Sequence, residues 1–110
     1  MSIHKFSESA FNDATREIII EEGMARDYIT NKTIKDSEKI EPDASFREKF
    51  DMSSLDIAEL VIGLEEKYNI KTLEERTSSI DSIDDVRKLF FKSLDVRRRN
   101  FVASKQIQKQ

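Results

Sequence analysis

The chain has no cysteine and no tryptophan, one proline and two glycines in 110 residues. Without cysteine there is no disulfide, no thiolate metal site and no thiol nucleophile, so a domain of this size must hold together by packing alone. So few glycines and prolines leave too few turn-formers for a β-sandwich or barrel. Lys, Glu, Asp, Ile and Leu are plentiful, which favours helices. No purely apolar run exceeds three residues, the length of Ile18 to Ile20, far short of a membrane span. The first residues lack the charged-then-apolar layout of a secretory signal, and a cytoplasmic protein is expected. Catalytic signatures are missing as well. His4 stands alone, and there is no Gly-x-Ser-x-Gly, no glycine-rich phosphate loop and no His/carboxylate cluster at metal spacing. Asp81, Asp84 and Asp85 lack the glycine and distal glutamate of a calcium loop and read as helix-capping groups.

Charge is present in quantity and unevenly placed. Residues 1 to 86 hold 21 acids against 11 bases, whereas residues 87 to 110 hold one acid against eight bases. An acidic body repels nucleic acid and attracts basic protein surfaces. The arginine triplet Arg97-Arg98-Arg99 has no interleaved aromatics, so no nucleic-acid partner is expected. Residues 1 to 96 read as one domain and residues 97 to 110 as a basic, flexible tail.

Apolar spacing supplies the elements. Phe11, Ala14, Ile18, Ala25 and Tyr28 recur at three, four or seven residues, which predicts a first helix from Ser7 to about Ile29, weakened near Glu22 by Gly23. Thr30 to Phe50 is polar and has no sustained period. It reads as a long loop pinned to the core by Ile34, Ile40, Phe46 and Phe50, with room for a short helical turn. Ser53 followed by Asp56 forms a capping-box start for a second helix ending near Tyr68. That helix carries two stripes. Ile57, Leu60, Val61, Leu64 and Tyr68 make one, and Leu55, Glu59, Ile62 and Glu66 make a neighbouring one that mixes apolar and acidic groups. Periodicity alone does not say which of the two is buried. Thr72 to Ser79 allows a turn or two, and Ile83, Val86, Leu89, Phe90 and Leu94 predict a last helix from Ser82 to Asp95 or beyond, with Ser82 as its N-cap. The expected fold is all-α, a small antiparallel bundle of three main helices plus one short helix.

The stretch from Ala44 through Met52-Ser53-Ser54-Leu55-Asp56-Ile57-Ala58-Glu59-Leu60-Val61-Ile62-Gly63-Leu64-Glu65-Glu66 to Ile70 resembles the attachment-site region of acyl carrier proteins. The likeness continues through Ile80-Asp81-Ser82-Ile83-Asp84-Asp85-Val86 and covers about half of the chain. In that family a serine within an Asp-Ser-Leu motif receives a 4'-phosphopantetheine arm from coenzyme A, and the thiol of the arm carries an acyl group as a thioester. Ser54 matches that serine and Leu55 the leucine after it. Asp56 and Glu59 match acids that follow, and Glu65 and Glu66 match an acidic pair near the end of the recognition helix. Ser53 stands where the family has aspartate, which keeps a capping side chain but removes a negative charge beside the nucleophile.

The resemblance implies a carrier rather than an enzyme, with an acyl or aminoacyl cargo on an arm at Ser54. It implies a phosphopantetheinyl transferase as one partner. Acyl-transfer or condensing enzymes of fatty-acid, lipid or secondary-metabolite synthesis would be others, meeting Leu55, Asp56, Glu59, Ile62, Glu65 and Glu66 with basic docking patches. A monomer is expected. The alternative is an unmodified carrier-like domain that uses the same helix face as an interaction or structural subunit.

Overall fold

Ser7 opens helix α1, Glu8–Glu21, its side chain accepting the Ala10 N–H at 3.2 Å. The computed structural model describes residues 7–72 and 77–94. Beyond α1 the described helices are α2, Phe46–Phe50, α3, Ser54–Tyr68, and α4, residues 83–94. Single 3-10 turns lie at Ser37–Lys39 and Thr77–Ser79. Among the described residues there is no strand, only an isolated bridge between Arg26 and Thr33. The described residues therefore form an all-α bundle of three longer helices and a short one. No described helix is long and apolar enough to cross a membrane. The tail from Arg97 onward lies outside the described residues.

The first helix is shorter than its apolar spacing predicts. It stops at Glu21 because Gly23 takes the left-handed conformation, with φ of 62°. There the Gly23 N–H reaches the Ile20 carbonyl at 3.1 Å and the Met24 N–H the Ile19 carbonyl at 3.0 Å. Those two bonds make a Schellman cap, and buried Met24 packs beside buried Ile19 as such caps favour. Tyr28, expected on the core stripe, is instead 76% exposed at the tip of a turn, and Ile19 rather than Ile18 is fully buried. Three consecutive isoleucines place apolar surface on every face, so spacing could not choose among them.

The connection from Glu22 to Ser45 runs over the bundle and is fixed to it at intervals. Ala25, Ile34 and Ile40 are buried, as are Phe46 and Phe50 within α2. The Arg26 N–H donates to the Phe50 carbonyl at 2.8 Å and the Ile34 N–H to the Ala25 carbonyl at 2.9 Å. Asp27 holds the turn at the tip, its carboxylate accepting the Ile29 and Thr30 N–H groups at 2.8 and 3.1 Å.

The core forms where α1, α3 and α4 meet. Phe11 stacks on Tyr68 at 5.8 Å between ring centroids and meets Phe90 and Phe91 at 5.3 and 6.2 Å. Ile57, Leu60 and Leu64 of α3 and Ile83, Val86 and Phe90 of α4 are fully buried. The buried hydroxyls of Thr15 and Ser93 donate to the Phe11 and Leu89 carbonyls, and no described buried side-chain polar atom lacks a partner. Ser82 caps α4 as expected, accepting the Asp85 N–H at 3.2 Å. Asp84 and Asp85 also work locally, the one pairing with Arg87 at 2.7 Å and the other accepting the Asp81 N–H at 2.8 Å.

Candidate functional site

The chain turns from α2 into α3 over three residues. Asp51 takes the left-handed conformation, with φ of 51°, and Met52 is buried, its N–H donating to the Phe46 carbonyl at 3.0 Å. Ser53 is extended and caps α3 reciprocally with Asp56. The Asp56 N–H donates to Ser53 Oγ at 3.1 Å, and the Ser53 N–H to Asp56 Oδ2 at 2.9 Å. With Met52 tucked inward, Ser53, Ser54 and Leu55 are left facing water.

Ser54 is the first residue of α3. It is exposed, and its hydroxyl has no hydrogen-bond partner among the described residues. Among the described residues no histidine or carboxylate accepts its proton, and none of them activates the oxygen. The surrounding helix start favours a phosphate at this place, because the unpaired N–H groups of the first turn and the positive end of the helix dipole attract negative charge.

The two stripes of α3 separate cleanly. One is core. On the other, Leu55 is 68% and Ile62 53% exposed, with Glu59 and Glu66 exposed between and beyond them. The predicted residues Leu55, Glu59, Ile62 and Glu66 thus form one outward face beginning beside Ser54. The other two acids have local duties. The Asp56 carboxylate is held by the Ser53 N–H, and partly buried Glu65 accepts from the Thr72 N–H at 2.9 Å and its hydroxyl at 2.7 Å. Glu65 therefore fastens the chain that follows α3.

Sequence reasoning missed the contribution of α1. Between α1 and α3 lies an open groove of about 510 Å³, with Glu59, Ile62 and Glu66 on one side and Glu17, Ile18 and Glu21 on the other. The signal was the four-residue spacing of Glu17 and Glu21, which places both on one side of a helix. Among the described residues no group of three or more His, Cys, Asp or Glu side chains could hold a metal ion. No protein-family model matches the chain.

Proposed function

We propose that this protein is an acyl carrier protein, holding an acyl or aminoacyl group as a thioester on a 4'-phosphopantetheine arm at Ser54. The observation that carries the reading is the accessible Ser54 hydroxyl at the first position of α3, without a base among the described residues and within the Ser-Leu-Asp sequence that resembles the family's attachment site. Such a serine is a substrate, to be modified by a phosphopantetheinyl transferase that supplies the base and coenzyme A. The protein catalyses nothing itself and works in the cytoplasm as a monomer.

The face running from Leu55 to Glu66 suits brief visits to enzymes with basic docking patches. Its acids speed encounter, and two exposed apolar side chains make a contact small enough to release quickly. On this reading Leu55, Asp56, Glu59, Ile62, Glu65 and Glu66 make up the docking region, with Asp56 and Glu65 shaping it through the bonds described above.

Incubation of the full chain with coenzyme A and a broad-range transferase should add the mass of one phosphopantetheinyl group. The gain should vanish in Ser54→Ala. No gain, or a gain that survives this substitution, refutes the assignment. Replacing Glu59 and Glu66 by lysine should slow the transfer while leaving helicity unchanged, and equal rates would remove the docking role.

A second reading rests on Ser53, where the family carries aspartate. On it, the domain stays unmodified and uses the same face to hold a structural partner. The intact mass of protein purified from its own host separates the two, since an exclusively unmodified population favours the scaffold.

A further inference from the structure

The groove between α1 and α3 joins an apolar floor to a rim of one sign. Ile18 and Met24 line it from one side and Ile62 from the other. Glu17, Glu21, Glu22, Glu59 and Glu66 surround this floor, and none of the five pairs with a cation among the described residues. Lys67 is the sole cation among the described residues that line it. Apolar area left in water and unpaired like charges side by side are both lowered in energy by a basic segment that carries apolar side chains.

The chain has such a segment. Residues 97–110 hold Arg97, Arg98, Arg99, Lys105 and Lys109 with no acid, and Phe101 and Val102 follow the arginines after one asparagine. Helix α4 delivers it close to the groove. Phe91 of α4 meets Phe11, and Phe11 stacks on Tyr68. Ala14, one turn beyond Phe11, and Lys67, next to Tyr68, already line the groove. From residue 94 the three arginines are three to five residues away, a reach of roughly 10–17 Å in extended chain. The span from Ala14 to Glu21 along α1 is ~10 Å.

We propose that the C-terminal segment 97–110 docks in the α1–α3 groove of its own chain. The arginines lie on the glutamate rim, and Phe101 and Val102 cover Ile18 and Ile62. Docked there, the segment covers Glu59, Ile62 and Glu66, so a partner that binds this face must first displace it. The docking itself is independent of any modification at Ser54. Its effect on partner access rests on the function proposed above.

Because the chain has no cysteine, Ser104→Cys gives a single site for a nitroxide spin label on the otherwise intact, unmodified protein. The proposal predicts loss of the amide NMR signals of Glu21, Ile62, Gly63 and Glu66, while that of Ile29, at the exposed turn tip, persists. The signals should return at about 1 M salt, where the screening length falls to ~3 Å. They should also return in the pair Glu21→Lys and Glu66→Lys, whose remaining spectrum reports that the fold is kept. Uniform broadening, broadening centred on another face, or groove broadening unmoved by salt and by the lysines would overturn the proposal. So would groove broadening that persists when isotope-labelled chains without the nitroxide are mixed with spin-labelled, isotope-free chains, since the occupant would then be a second copy.

Discussion

Ser45 and Ser53 open their helices in the same manner, each accepting the N–H three residues ahead, at 3.0 and 3.1 Å. Their surroundings differ. The Ser45 hydroxyl also donates to Asp81, 36 residues away, and the Phe46 N–H donates to the Asp81 carbonyl at 2.7 Å. Arg47 adds its own N–H to the Asp81 carboxylate at 3.0 Å and its guanidinium to the Ile80 carbonyl at 2.8 Å. The Asp84 N–H closes the junction on the Pro42 carbonyl at 2.9 Å. Around Ser53 every side-chain bond falls within three residues. One helix start ties distant segments together, and the other sustains itself. A start that needs no outside partner can leave its outer surface free, and Ser54 occupies that surface.

Removing the tie should cost most. Asp81→Ala strips the junction of a carboxylate that accepts from a hydroxyl, an N–H and a guanidinium, and should lower stability by about 2–3 kcal/mol in urea unfolding. A loss no larger than that of a simple cap would erase the contrast. Ser53→Ala removes the self-contained cap alone and should cost about 1 kcal/mol. A much larger cost would reveal a tertiary role at the α3 start. Ser54→Ala should move stability by less than about 0.5 kcal/mol, as expected for an exposed side chain outside any network. A clear destabilisation would mean that the oxygen already has work inside the fold.

The smallest effect belongs to a third local arrangement, the turn at Asp27. The Thr30 and Ile29 N–H groups hold the Asp27 carboxyl below the usual carboxylate range. A lowered value in the folded state means that the turn is supported at neutral pH, above the unfolded value, and loses that support as pH falls through the folded one. The Ile29 and Thr30 amide shifts should therefore titrate at a lower pH than an aspartate in an unstructured peptide. A midpoint equal to the peptide's would show that these bonds do not favour the charged form.

The elements legible in the sequence are those whose signals are local. Ser53 and Asp56 announced the start of α3, and the recurrence of Ile57, Leu60 and Leu64 announced its inner face, because cap and period lie within one helix. Ile34, Ile40, Phe46 and Phe50 stood out as isolated apolar residues in a polar stretch, and all four are buried. The end of α1 was less legible, since Gly23 serves equally as a weak mid-helix residue or as a left-handed cap, and the bonds that decide between these form after folding. The link from Ser45 to Asp81 leaves no periodic trace at all. The exposure of Leu55 and Ile62 followed from neither spacing nor composition, since two adjacent stripes of α3 were both apolar enough to bury.

Buried anchors at Ala25, Ile34, Ile40 and Phe46 divide the passage from α1 to α2 into spans of nine residues or fewer. A protease must draw a length of backbone into its cleft, and most of this passage is fastened too often to be drawn out. The exposed tip at Tyr28 and Ile29 lies farthest from its anchors. Within this passage, that tip is where a first nick would fall, and where a grafted epitope or inserted domain would least disturb the bundle.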